Sequence, residues 1–101
     1  MQKVLGEITE HLKKGNSKPA IELINKHGLH EKGAELLHRG GWPGPAGDHY
    51  KKAADLEANR SEVDHKKLRQ LVAKAATAYE EGGMHSAAER MTNWLRILAS
   101  R

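Results

Sequence analysis

Gly83-Met84-His85-Ser86-Ala87-Ala88 separates two helix-patterned runs, and its reading decides the fold. Upstream of it, Leu68, Leu71, Val72, Ala75 and Tyr79 recur at spacings of three and four, the period of a helix with one apolar face. Downstream, Met84, Ala87, Ala88, Met91, Leu95 and Leu98 do the same. Glu80-Glu81-Gly82-Gly83 ends the first run, and Ser86-Ala87-Ala88-Glu89 has the form of a capping box opening the second. The stretch therefore predicts a helical hairpin. Gly83 permits the tight reversal, and Ala88 lets the second helix lie close against the first.

The same Gly-to-Ala spacing occurs twice upstream, as Gly15/Ala20 and Gly41/Ala46, with the glycines 26 and then 42 residues apart. Each again follows an expected helix. Val4, Leu5, Ile8 and Leu12 mark one face of a helix over 2–14, and Gly15-Asn16-Ser17 ends it and supplies a new N-cap. A short helix over 18–26 carries Ala20, Ile21, Leu23 and Ile24 and closes on His27-Gly28. A third covers 29–39, with Leu29, Leu36 and Leu37 inward and Gly33 inside it.

Gly40-Gly41-Trp42-Pro43-Gly44-Pro45 reads as the clearest breaker in the chain, an insert in the middle turn with Trp42 tucked against a helix. The fourth helix is expected over 46–58. Its apolar stripe is poor, which predicts a peripheral position. The fifth is expected from Ser61, with Ser61-Glu62-Val63-Asp64 as a weak capping box. No alternating strand pattern is present, and there is no Asn-Gly or Asp-Gly hairpin turn. The fold expected is all-α, about six helices stacked as antiparallel hairpins in a short irregular helical-repeat domain. The hairpins fall at about 2–27, 29–58 and 62–100.

A length of 101 residues suits one domain. Phe is absent, so the core rests on aliphatic residues, Met, two Trp and two Tyr, and a large ligand cavity is not expected. Cysteine is also absent, which excludes disulfides, thiolate metal sites and a Cys nucleophile. The net charge of +4 sits mainly in the second half, where ten Lys/Arg face seven Asp/Glu. The N-terminus lacks the apolar core of a secretory signal, and no run is long enough to span a membrane. A soluble, cytoplasmic protein with no membrane partner is the expectation.

Little in the chain suggests catalysis. Ser17, Ser61 and Ser86 read as helix caps, no Gly-x-Ser-x-Gly elbow exists, and the paired glycines form no phosphate-binding motif. Seven histidines raise the question of a metal, with His27, His30 and His38 the set that could converge. Zinc sites want three or four ligands in a supporting geometry, and solvated or capping histidines are the simpler reading. No enzyme activity, metal or cofactor is expected.

Ala75, Ala76, Tyr79, Gly83, Ala88 and Leu95 resemble the small and large positions of the tetratricopeptide repeat and its relatives in trafficking and ciliary-transport proteins. Ala75 stands where that motif has Leu. The match is best over residues 68–98. Gly15 and Ala20 follow it in the first copy, where His11 takes the aromatic slot, and Gly41, Ala46, Tyr50 and Ala53 follow it in the second. The resemblance implies a non-catalytic scaffold or adaptor that binds a protein or peptide along the first helix of each hairpin. It places Lys67, Gln70 and Lys74 on such a surface. The family's carboxylate-clamping subgroup would want Asn where Thr77 stands.

Neither terminal helix reads as an obviously polar cap. Met91, Trp94, Leu95, Ile97 and Leu98 spread over more than one face of the last helix, which predicts self-association or an origin in a longer array. Trp94 and Ile97 are thus a second expected contact surface. The rival reading is a small basic nucleic-acid-binding protein using His65, Lys66, Lys67, Arg69 and Lys74. Flanking carboxylates and the absence of interleaved aromatics weigh against it.

Overall fold

The computed structural model describes residues 2–100, and every regular element in it is a helix. These are α1 (Gln2–Lys13), α2 (Ser17–His27), α3 (His30–Arg39), α4 (Pro43–Ala58), α5 (His65–Glu81) and α6 (His85–Ala99). They pair as three hairpins, α1/α2, α3/α4 and α5/α6, and α4 packs extensively on α5 to join the second hairpin to the third. The molecule is a slab of 42 × 32 × 15 Å. The first helices form one row. α1 touches α3, and α3 is linked to α5 by Glu31–Lys67 at 3.1 Å and His38–Glu81 at 2.9 Å.

The three hairpin turns share one backbone form. Lys14-Gly15-Asn16, Gly40-Gly41-Trp42 and Gly82-Gly83-Met84 are each three residues long. The amides of Asn16, Trp42 and Met84 donate to the carbonyls of His11, Leu37 and Tyr79, each five residues back, at 2.8–2.9 Å. The glycine amides donate three residues back, to Leu12, His38 and Glu80. This pair of bonds is the Schellman motif, which needs a left-handed residue at its corner, and Gly15, Gly41 and Gly83 have φ of 78°, 94° and 74°. Gly28, at 63°, ends α2 in the same way. The alanines five residues on, Ala20, Ala46 and Ala88, are all buried.

The middle turn therefore carries no insert. Pro43 and Pro45 lie inside the first turn of α4, whose leading N–H groups have no intrahelical partner to lose. The wider spacing of 42 residues arises because α4 and α5, at 16 and 17 residues, outlast α2 and α3, at 11 and 10, and because residues 59–64 join α4 to α5 where only 28–29 join α2 to α3. Trp42 is partly buried against the core and covers Gly40, as expected of a tucked side chain.

The fourth helix is central, not peripheral. Ala46, Gly47, His49, Tyr50, Ala54 and Glu57 are all buried between α3 and α5. Its small residues do not register as an apolar stripe, yet they are what allow two neighbours to approach. A Cβ on Gly47 would lie 2.6 Å from Tyr79 Cδ1. Gly33 plays the same part in α3, where a Cβ would meet Ile24 at 2.6 Å.

Helix α5 starts at His65 rather than Ser61. Asp64 is its N-cap, accepting from the Lys67 amide at 3.0 Å. The chain is held in the preceding turn by Glu57, only 5% exposed, which accepts from the Asp64 amide at 3.0 Å and from Arg60 at 3.1 Å. The Asp64 amide, opposed by burial and aided by Arg60, holds the Glu57 carboxyl below its ordinary range. Likewise α6 starts at His85, with Met84 as N-cap and no side-chain cap, so Ser86 lies inside the helix. Asp64→Ala is expected to cost about 1 kcal/mol, the usual worth of a side-chain cap, whereas Ser86→Ala is expected to be near neutral. Urea denaturation of the two variants separates these outcomes.

The positions that join one hairpin to the next inside the stack hold polar residues at its two ends, unlike the apolar terminal faces expected from the sequence, although Ile97 of α6 is 55% exposed. Leu29, Gly33 and Leu37 of α3, and the repeat-equivalent Leu71, Ala75 and Tyr79 of α5, are where each first helix meets the hairpin before it. In α1 these positions hold Lys3, Glu7 and His11. Ile21 and Ile24 of α2 correspond to Gly47 and Tyr50 of α4, which face the following hairpin, and in α6 to Glu89 and Thr92, both exposed.

Candidate functional site

A cavity of about 410 Å³ between α1 and α3 is lined by Thr9, Leu12, Lys13, Leu36, Arg39 and Gly40. A second, of about 280 Å³, is lined by Glu35, His38, Arg39 and Tyr50. A third, of about 290 Å³, is lined by His38, Tyr50, Ala73, Lys74 and Thr77. Arg39 belongs to the first two, and His38 and Tyr50 to the last two, so they form one track across α1, α3 and α5. A further groove of about 340 Å³ between α5 and α6 is lined by Ala76, Thr77, Glu80, Glu81, Ala88 and Thr92.

These grooves sit at equivalent positions of the repeat. Thr9, Leu12 and Lys13 move by the 26-residue glycine spacing onto Glu35, His38 and Arg39, and those move by 42 residues onto Thr77, Glu80 and Glu81. One three-residue pattern at the end of each first helix thus lines a groove, which α1 shares with α3, α3 with α4, and α5 with α6.

Tyr50 forms the floor of the middle section. It is 4% exposed, with the His38 ring edge-on at 6.4 Å and Lys74 Nζ 5.9 Å from its centroid. Burial, with the nearby Glu35 and Glu31 carboxylates, raises the Tyr50 phenol above its ordinary range, while Arg39 acts the other way.

Of the surface residues expected from the sequence, Lys67 and Lys74 both lie on α5 toward α3, and only Lys74 lines the track. Lys67 is paired with Glu31, and Lys74 lies over Tyr50. Gln70 is exposed on the same helix. Trp94 and Ile97 do not join them. They lie on α6, which packs on α5. Trp94 is partly buried against the core and Ile97 is 55% exposed. Lys13, Arg39, Tyr50 and Glu81 were not among the residues expected to contact a partner. Sliding the Gly-Ala pairs over one another and reading the equivalent columns would have found Lys13, Arg39 and Glu81.

The histidines do not converge as the set His27, His30 and His38. His38 bonds Glu81, and His27 is exposed in the last turn of α2. His30 instead meets His49 of α4, Nδ1 to Nδ1 at 3.0 Å, with ring planes 13° apart and centroids 5.2 Å apart. Both nitrogens then lie between the centroids, so the rings meet edge to edge and share one N–H···N bond. One Nδ1–H and one Nδ1 lone pair are thus engaged with each other. Among the described residues no group of three or more His, Cys, Asp or Glu could hold a metal.

On the opposite side, Ile21, Asn25, Pro45, Asp48, His49, Lys51, Lys52 and Tyr79 line a groove of about 400 Å³. Tyr79 donates from its hydroxyl to Asp48 at 2.7 Å, and burial together with that carboxylate pushes its phenol well above the ordinary range. No described helix is long and apolar enough to cross a membrane. Comparison with protein-family models, curated proteins and solved structures finds no match for this chain.

Proposed function

We propose that this protein is a non-catalytic interaction module that holds an extended protein segment across the ends of α1, α3 and α5. The observation that carries this reading is the recurrence of one groove-lining pattern, Thr9/Leu12/Lys13, Glu35/His38/Arg39 and Thr77/Glu80/Glu81, along a single face. Repetition along a row suits a ligand that itself repeats along its length, which an extended chain does. The tetratricopeptide-like character seen in the sequence is consistent with it, and the shared Schellman turns support it.

Isolated surface lysines bind nothing strongly. An apolar floor such as Tyr50, Leu12 and Leu36 adds the desolvated area that hot spots need. The basic residues proposed for nucleic acid are less concentrated than their sequence suggests. Lys67 is neutralised by Glu31, Lys74 lies over Tyr50, and Lys66 and Arg69 are exposed on α5.

The test is a pull-down with mass-spectrometric identification of the partner, followed by titration of the bound segment against variants. Arg39→Glu is expected to weaken binding about tenfold, a typical cost for a charge at an interface, with unchanged circular dichroism. Ile97→Glu is expected to leave it intact. The reverse pattern would move the site to α6. Retention of random duplex DNA, lost steeply with added salt, would instead favour the nucleic-acid reading.

A further inference from the structure

The grooves are alike in position but not in charge. At the last position of the repeated pattern the three hairpins present Lys13, Arg39 and Glu81, and at the position before it Leu12, His38 and Glu80. Lys13 and Arg39 are exposed, and neither takes part in an ion pair among the described residues. Glu80 and Glu81 are paired only with His85 and His38, which are cations only when protonated. At these last-turn positions the row is therefore polarised, cationic on α1 and α3 and anionic on α5. Glu35 and Lys74, about a turn further back, carry the opposite signs on α3 and α5.

Resting on the reading of this face as a peptide site, we infer that its ligand is an extended segment of matching polarity. Acidic residues lie against Lys13 and Arg39, and a basic residue lies against Glu80 and Glu81. The spacing follows from the fold. Packed helices lie about 8–10 Å apart, and an extended chain rises about 3.3 Å per residue, so the step between the touching α1 and α3 takes about three residues, and the step from α3 to α5, which side chains bridge, takes about three or slightly more. The pattern is acidic-x-x-acidic-x-x-basic, read along the row from α1 to α5, in whichever chain direction the ligand lies. A uniformly acidic segment loses its fit at the third hairpin, and a phosphate backbone meets the same carboxylates. The apolar floor at Leu12, Leu36 and Tyr50 favours small or apolar residues in the intervening positions.

The experiment uses the whole chain, labelled with nitrogen-15, and three synthetic peptides: Glu-Ala-Leu-Glu-Ala-Leu-Lys, its charge inverse Lys-Ala-Leu-Lys-Ala-Leu-Glu, and a neutral version with Gln at the charged positions. Because either chain direction is allowed, each is also made with reversed sequence. The matched peptide is expected to shift the amides at the ends of α1, α3 and α5 and to bind at least about tenfold more tightly than the inverse. The double variant Arg39→Glu with Glu81→Arg is expected to reverse that preference, its fold checked by circular dichroism. Equal binding of all three peptides on this face would overturn the polarity while leaving the face a peptide site. Amide shifts elsewhere, or none, would overturn both readings. A single-stranded oligonucleotide that displaces the matched peptide and shifts the same amides would also overturn the inference.

Discussion

Gly47→Ala is expected to destabilise the protein, although alanine is the better helix former by about 1 kcal/mol. The new methyl would lie 2.6 Å from Tyr79 Cδ1 and 2.9 Å from Cγ and Cε1. These are ring atoms near the root of a side chain that is 3% exposed and anchored through its hydroxyl to Asp48 at 2.7 Å. The ring cannot withdraw without moving α5 or breaking that bond. Overpacking of this kind costs about 1–3 kcal/mol. The net loss expected is about 1–2 kcal/mol, and a valine at the same place should lose more. For a domain of this size each kcal/mol lowers the melting temperature by about 4–8 °C. Gly6→Ala is the control. Gly6 lies within α1 with nothing within 4 Å of its added Cβ, so alanine there should stabilise by about 0.5–1 kcal/mol. Opposite signs in thermal denaturation are the expected result. If Gly47→Ala matched or exceeded the parent, the close approach of α4 to α5 would not be what the glycine serves.

The second large effect concerns acid. His49 is 4% exposed, and its pKa is lowered to about 4, first by burial, then by the charges of His30 and Lys52, with Asp48 acting weakly against them. His30 is lowered too, by burial and by Lys52. Both rings are thus neutral in the folded chain at a pH where the unfolded chain takes up protons. The sign follows from linkage. The stability is fully present above the ordinary histidine value near 6.5 and declines as pH falls from there toward about 4. The loss expected is about 2–3 kcal/mol, with His49 as its main source. Doubly protonated, the pair would also lose its N–H···N bond and set two cations edge to edge. Glu57, whose carboxyl is held low, adds its own loss at more acidic pH as it takes up a proton. Urea midpoints measured from pH 7.5 to 4.5 should fall in the parent and stay nearly flat in His49→Gln. An unchanged slope in that variant would assign the acid response to other groups.

The sequence carried more of the fold than of the site. Helical periodicity and the glycines marked all six helices and all four left-handed corners, because a Schellman turn has few other solutions for its corner residue. Periodicity failed where packing depends on small residues. It ranked α4 as peripheral because Ala46, Gly47 and Ala54 carry little hydrophobic weight, though their size is what places that helix at the centre. Capping patterns failed where another group reached the amide first. Ser61 looked like the cap of α5, but Glu57 bonds the Asp64 amide and delays the start of the helix to His65. Lys67 and Lys74 could be assigned to the α5 surface from spacing alone. Which cations remained unpaired could not, because Glu31 lies 36 positions before the lysine it neutralises. The His30–His49 pair was invisible for the same reason.

The polar residues on the two outer faces of the stack, Lys3, Glu7 and His11 at one side and Glu89 and Thr92 at the other, set these helices apart from the apolar seams inside it. On the proposed reading the three hairpins would act as three stations of a ruler, and a matching segment of about seven residues would span them at about three residues per station. Discrimination would then rest on where charges fall along the segment, not on how many it carries.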